Sequence, residues 1–176
     1  ALTLYNECHS ILKAWLGSNN STHPFSAVVY EGIGKTYLDS LKFSEALAAF
    51  ENGLEALQNS NTTTQYYASR IKILISQIYL QQAKIKKTLQ YLQVGVKSLR
   101  KELGEKHYLI AESFILEGQA FQALGKIHDS QQMYIQGLML MKKMYKSNSH
   151  RLWKFYYQIG VSYKIQGKFA NAENNF

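Results

Sequence analysis

One pairing of residue types returns every 42 residues along this chain of 176 residues. A small residue, Gly or Ser, is followed three positions later by an aromatic residue. Self-similarity at a fixed period of this length is typical of a tandem array rather than of one irregular core. We therefore predict a stack of similar units. The pairs are Gly34 with Tyr37, Ser76 with Tyr79, Gly118 with Phe121, and Gly160 with Tyr163.

A second set of residues keeps the same period and begins 16 residues after each small residue of the first set. A large residue starts this set, and in three units a Gly follows three positions later. Between the two sets every unit carries a Lys, preceded by Gly in two units, which is typical of a turn. We predict two helices per unit, joined by that turn. The large residues are Phe50, Leu92, Tyr134 and Phe176, the glycines are Gly53, Gly95 and Gly137, and the turn lysines are Lys42, Lys84, Lys126 and Lys168.

Small residues opposite large ones allow two helices to pack closely, because the large side chain fills the space that the small one leaves. One hairpin of this size cannot cover its own apolar stripe, so neighbouring hairpins must stack into a solenoid. The chain has a single Pro, and its apolar residues recur at three-and-four spacing, which favours helix over strand. The predicted fold class is all-α.

At these positions the chain resembles the tetratricopeptide repeat (TPR), whose signature distributes large, small and aromatic residues over a helical hairpin. The period exceeds the roughly 34 residues usual for that family, and in this it looks like the kinesin light chain variety, which has longer helices. The resemblance implies a right-handed solenoid of antiparallel helical hairpins, the TPR superhelix. The first unit fills all seven signature positions, with Tyr30, Ile33, Gly34, Tyr37, Ala46, Phe50 and Gly53.

The repeat phase also predicts how the chain is divided. Residues 25–60, 65–103, 107–146 and 149–176 are predicted to be four repeats, the last with a truncated second helix. Residues 1–17 are predicted to be the second helix of a partial preceding repeat, with Leu4, Ile11, Leu12 and Trp15 on its apolar face. The sequence is thus expected to be a piece of a longer array whose two ends expose apolar surface to a neighbour or to another copy.

The resemblance implies where a partner would bind, because first helices line the concave face of such a solenoid. Gln77 and Gln119 occupy the same position, or phase, in successive repeats. Their amides could form a short ladder along a peptide backbone, since an amide both donates and accepts hydrogen bonds. The alternative for these two residues is a pair of solvated surface side chains. By phase, the residues offered to a partner are Lys35, Leu38, Arg70, Ile73, Gln77, Leu80, Gln119, Gln122, Lys154, Tyr157, Val161 and Lys164, with Val28, Glu31, Glu112 and Ile115 on the same face.

The formal charge of +8 favours an acidic protein or peptide partner without naming one. Many of the basic residues fall on second helices, where they form either a binding surface for an acidic partner or merely solvated helix faces. A nucleic acid partner is not expected, since no groove with aromatic side chains between the basic ones accompanies these basic residues. A membrane partner is not expected either, since the longest apolar runs are too short to cross a bilayer.

The inventory of reactive side chains argues against an enzyme, so no catalytic, cofactor or metal site is expected. Cys8 is the single cysteine, which excludes an internal disulfide and suits a reducing, cytoplasmic setting. The five histidines are isolated in sequence and lack the spacing of metal ligands. Glu117 stands where the other units have Ile, and is expected either to reach solvent at a loosely packed edge or to pair with a basic group or ligand.

The sequence therefore predicts a non-catalytic interaction scaffold that holds a peptide or helix in its concave groove within a larger assembly. One alternative is a structural subunit of a large complex, of the cytoskeletal, motor or ciliary type, that has no groove ligand. Another is a peptide-sensing TPR regulator, in which ligand binding changes the superhelix and thereby a neighbouring effector.

Overall fold

The structure is a computed structural model that describes residues 2–16, 24–58, 65–145 and 149–175. The expectations for Phe176 and for the side chain of Trp15 lie outside this description. The helices are α1 (Leu2–Leu16), α2 (Pro24–Asp39), α3 (Phe43–Gln58), α4 (Gln65–Gln81), α5 (Ile85–Leu103), α6 (Tyr108–Ala123), α7 (Ile127–Met144), α8 (Trp153–Ile165) and α9 (Phe169–Glu173), with a short 3-10 turn (His150–Leu152) before α8.

Four tight turns join α2 to α3, α4 to α5, α6 to α7, and α8 to α9. In the first turn the Lys42 N–H donates to the Tyr37 carbonyl at 2.9 Å and the Leu41 N–H to the Leu38 carbonyl at 3.0 Å. This is the Schellman pattern, which ends a helix at a residue in the left-handed region. The carbonyl of each turn Lys then accepts the first hydrogen bond of the following helix. The residues in the left-handed region have φ values of 58° at Leu41, 56° at Ala83, 75° at Gly125 and 73° at Gly167.

In the first and third hairpins the small residue of the first helix lies against the large residue of the second. The Phe50 ring packs directly over Gly34, and the Tyr134 ring packs over Gly118, so that an added Cβ would overlap either ring. Phe50 and Tyr134 are fully buried as a result. The predicted contact between small and large residues is therefore present, and it sets the distance between the paired helices.

The hairpins stack in chain order, and each second helix packs on the first helix of the next hairpin. Gly53 of α3 lies against Ile71 of α4, and Gly137 of α7 lies against the Phe155 ring of α8. The first helices α2, α4 and α6 also contact their neighbours, which places them along the inner side of the stack. The described residues contain helices and no strand. The predicted all-α helical repeat solenoid is confirmed.

α1 contacts α2 through two aromatic side chains. The Tyr5 ring covers Gly32, and the His9 ring lies 5.0 Å from the Tyr30 ring between centroids. Leu4 and Ile11 of the predicted apolar face are each 66% exposed. Throughout the part of the chain that the structure describes, every helix is too short or too polar to span a bilayer.

Candidate binding groove

The inner side of the stack forms an open groove with a volume of about 610 Å³. All of its lining residues lie on the first helices α2, α4, α6 and α8. Seven of the residues predicted for the concave face line it: Lys35, Arg70, Ile73, Gln77, Gln119, Lys154 and Tyr157. Glu31, Glu112 and Ile115 lie there too, together with the unforeseen Leu74, Tyr108, Leu109, Leu116, Trp153 and Gln158.

Five of the predicted residues do not line the groove. Leu38 is 5% exposed and belongs to the core around Phe50. The Gln122 amide oxygen accepts a hydrogen bond from the Tyr134 hydroxyl at 3.1 Å, so its side chain is turned towards α7. Both therefore lie outside the groove lining, because near the turn the paired second helix covers this part of the first helix. The other three, outside the lining, are Leu80 and Val161, which are half-buried, and Lys164, which is exposed.

A nearly buried carboxylate holds two cations at one end of the groove. Arg70 Nη2 of α4 donates to Glu31 Oε1 of α2 at 2.6 Å, and Lys35 Nζ lies 3.6 Å from the same oxygen. The Glu31 side chain is 6% exposed. Partial burial by itself lowers the pKa of Arg70, but the Glu31 carboxylate and nearby tyrosines outweigh it and raise that pKa above its usual value. The ion pair therefore joins the first two hairpins across the groove.

An aromatic chain continues from Arg70 to the third hairpin. The Arg70 guanidinium lies 5.4 Å from the centroid of the Tyr66 ring, and that ring meets the His107 ring edge-on at 6.1 Å. His107 caps α6, since its Nδ1 accepts from the Leu109 N–H at 3.3 Å. Burial lowers the pKa of His107, which favours the neutral ring that this cap requires.

The other end of the groove combines an exposed ion pair with aromatic surface. Lys154 Nζ of α8 lies 3.1 Å from Glu112 Oε1 of α6. Trp153 and Tyr157 are 58% and 50% exposed, with ring centroids 6.5 Å apart. The sequence contained one signal for Trp153 that could have been used. Trp153 stands at the repeat position of Ala27 and Ala111, both of which are fully buried.

The two glutamines that share a phase, Gln77 and Gln119, lie half-buried in the middle of the groove. Within the described ranges neither amide makes a hydrogen bond to another residue. The apolar side chains of Ile73 and Ile115 lie on the same helices and are each 9% exposed. The middle of the groove therefore offers free amide groups beside an apolar floor.

Glu117 lies outside the groove, half-buried on α6. Burial raises its pKa, and the positive charge of Arg100 on α5 opposes that rise. In the described part of the chain no cation lies within ion-pairing distance of its carboxylate, and Arg100 instead pairs with Glu105 at 3.1 Å. Of the two expectations for Glu117, the structure thus shows a partly solvated carboxylate rather than a paired one. In the same ranges no three His, Cys, Asp or Glu side chains are grouped as metal ligands would be.

The architecture is similar to solved repeat structures. It superposes on TPR-like repeats of a putative kinesin light chain from Podosopora anserina with a TM-score of 0.70, 15% identity, and coverage of 99% of this chain and 81% of that one. The fold is a TPR-type helical repeat. A second structure of those TPR-like repeats gives a TM-score of 0.68 and 16% identity, with the same coverage. The predicted resemblance is thereby confirmed at the level of the fold.

A third TPR-type neighbour is BtubC (BKLC) from P. vanneervenii, with a TM-score of 0.70 and 17% identity. The match covers 85% of this chain, and it spans only 59% of BtubC. No family model matches the sequence, and no curated protein matches it significantly. The likeness to these structures is therefore one of helix arrangement, at 15 to 17% identity.

Proposed function

We propose that this TPR-type repeat is a non-catalytic scaffold that binds a peptide or a helix in its inner groove and thereby assembles a larger, cytoplasmic complex. The observation that supports this most strongly is the groove itself, about 610 Å³ in volume and lined by all four first helices. Solenoids of stacked hairpins use such concave surfaces for recognition.

The charges of the groove indicate what selects its ligand. Glu31 neutralises Arg70 and lies near Lys35, and Glu112 neutralises Lys154. A ligand carboxylate would have to compete with these internal partners. Recognition therefore depends mainly on the amide groups of Gln77 and Gln119, which are suited to a peptide backbone, and on the apolar floor beside them.

This proposal is tested by replacing the two amides together. Peptides selected from a random library on the wild-type chain are measured by fluorescence anisotropy against Gln77→Ala/Gln119→Ala. We expect affinity to fall about tenfold or more, because each lost amide leaves backbone groups of the ligand unpaired. Thermal stability should change little, since neither side chain is a core residue. The control is Gln81→Ala/Gln136→Ala, which removes two exposed amides elsewhere and should leave affinity unchanged.

A structural subunit without a groove ligand is the second candidate. It is favoured by the exposed apolar side chains of Leu4 and Ile11 on α1, each 66% exposed, because such surface marks a buried contact with another chain. In this case Leu4→Ser/Ile11→Ser would prevent incorporation into the native complex, whereas the groove variant would still be incorporated. The opposite pattern would support the groove.

A further inference from the structure

The outer surface of α5 carries a row of exposed basic side chains, which we call the α5 basic band. It consists of Lys86, Lys87, Lys97, Arg100 and Lys101. Only Arg100 has an ion-pair partner in the ranges that the structure describes, namely Glu105. The helix itself contributes a single carboxylate, that of Glu102. Lys87 Nζ also lies 5.2 Å from the centroid of the Tyr79 ring. The band is therefore a surface of net positive charge on the side of the hairpin away from the groove.

Helix stability does not explain the start of the band. Lys86 and Lys87 lie in the first turn of α5, which contains no acidic residue. Cations there oppose the helix macrodipole, whereas acids stabilise it. The equivalent helices follow the favourable rule, with Glu45 in the first turn of α3 and Asp129 in that of α7. Arg100 and Lys101, in the last turn, do suit the macrodipole.

The neighbouring outer helix carries the opposite charge. Glu45, Glu51 and Glu55 are exposed on α3, which contains no basic residue. One period later than Glu45 and Glu55, α5 has Lys87 and Lys97. A wide polyanion such as a nucleic acid duplex lying on the band would also meet these three carboxylates and be repelled. A narrow acidic segment lying along α5 would meet fewer of these carboxylates.

We propose that the α5 basic band docks an acidic protein helix that lies along α5. Lys87 and Lys97 are ten residues apart, a distance of about 15 Å along a helix. Between them Val94 is 46% exposed, beside the exposed side chains of Gln90 and Gln93. The partner that fits this pattern has carboxylates at both ends of a segment of about three helical turns and small or apolar residues between them. This site is separate from the groove and does not depend on its function.

The experiment uses a labelled helical peptide of about 20 residues with two Glu pairs ten residues apart on an Ala background. Binding is measured by anisotropy at about 0.1 M salt, where screening limits charge effects to about 10 Å. The test variant is Lys87→Glu/Lys97→Glu, which copies the residues that α3 has at the equivalent positions. The control is Lys126→Glu/Lys143→Glu, which alters the net charge equally at two exposed positions of the third hairpin.

We expect the test variant to bind the peptide at least about tenfold more weakly and the control at most about twofold more weakly, because close charge pairs dominate over net charge. Equal losses would show a mere net-charge effect and overturn the proposal, as would the absence of wild-type binding. Tighter binding of a DNA duplex through the same two lysines would assign the band to nucleic acid instead. Circular dichroism checks folding, and Lys87→Gln/Lys97→Gln replaces the test variant if it fails to fold.

Discussion

Arg70 of α4 and Glu31 of α2 form an ion pair of 2.6 Å that crosses from the second hairpin to the first inside the groove. Glu31 stands in the same repeat position as Ile73 and Ile115, and all three side chains are buried. The first unit thus places a charge where the next two place an aliphatic residue. Its partner comes from the adjacent hairpin, so stacking is what satisfies the charge.

Removing Arg70 should destabilise the fold. We expect Arg70→Met to lower the free energy of unfolding by about 2 kcal/mol, since it leaves Glu31 as a buried and poorly compensated charge. Urea denaturation measures the change. Lys154→Met, which breaks the exposed pair with Glu112, should cost less than about 0.5 kcal/mol. The double variant Arg70→Met/Glu31→Ile should recover most of the loss, and a double variant no more stable than Arg70→Met would contradict this account.

The contact of Gly118 with Tyr134 predicts a compensating pair of substitutions. Gly118→Ser places a side chain where the Tyr134 ring lies and should cost about 2 kcal/mol by overpacking. The second unit uses Ser76 with Leu92 at the same two positions. We therefore expect Gly118→Ser/Tyr134→Leu to be more stable than the sum of the two single changes predicts. Additive losses in a double-mutant cycle would contradict this prediction.

The turn positions with positive φ predict a stabilising change. Ala83 has a φ of 56°, whereas Gly125 and Gly167 fill the equivalent position in later units. A non-glycine residue costs about 1 kcal/mol or more in the left-handed region, although Gly also loses more backbone entropy on folding. We expect Ala83→Gly to raise the free energy of unfolding by about 0.5 kcal/mol, and Gly125→Ala to lower it by about 1 kcal/mol. Thermal unfolding of both variants tests whether the two changes in stability have opposite signs.

Ser69 offers a second stabilising change. Its side chain is 1% exposed, and its hydroxyl has no hydrogen-bond partner in the described structure. The equivalent residues Ala27 and Ala111 are fully buried in the same environment. Because an unsatisfied buried hydroxyl costs about 1 kcal/mol or more, Ser69→Ala should stabilise the fold by about 1 kcal/mol. Ser113→Ala serves as the comparison, since the Ser113 hydroxyl donates to the Ile110 carbonyl at 2.7 Å; it should not stabilise.

Glu117 should make stability depend on pH. Its pKa is raised in the folded state by burial, so folding favours the protonated form. The stability that Glu117 contributes to the folded state is fully present below its unfolded pKa of about 4.3. This stability is lost as pH rises through the higher pKa of the folded state. Glu117→Ile should therefore stabilise the protein more at pH 7.5 than at pH 4. Glu102→Gln, at an exposed carboxylate on α5, is the control, and an equal gain for Glu117→Ile at both pH values would argue against this prediction.

Much of the groove could be predicted from the sequence, because the resemblance to TPR repeats implies that the first helices face inward and the repeat phase then gives the equivalent positions on each of them. Lys35, Gln77, Gln119 and Lys154, which line the groove, were located in this way. Leu38 and Gln122 lie outside the groove, because the second helix covers the end of the first near the turn, which the repeat phase does not reveal. Trp153 was missed, although a Trp at the repeat position of the buried Ala27 and Ala111 is too large for that site and could have been recognised as exposed.

The sequence by itself determined that this chain is a stack of helical hairpins, because small and large residues at a period of 42 can both be buried only if helices pair and then stack. Only the tertiary structure decided which charged side chains form ion pairs. Whether Glu31 meets a ligand or Arg70, and whether Glu117 meets a cation or solvent, depends on distances between separate hairpins. Those distances arise from packing along the whole stack, and no single repeat encodes them.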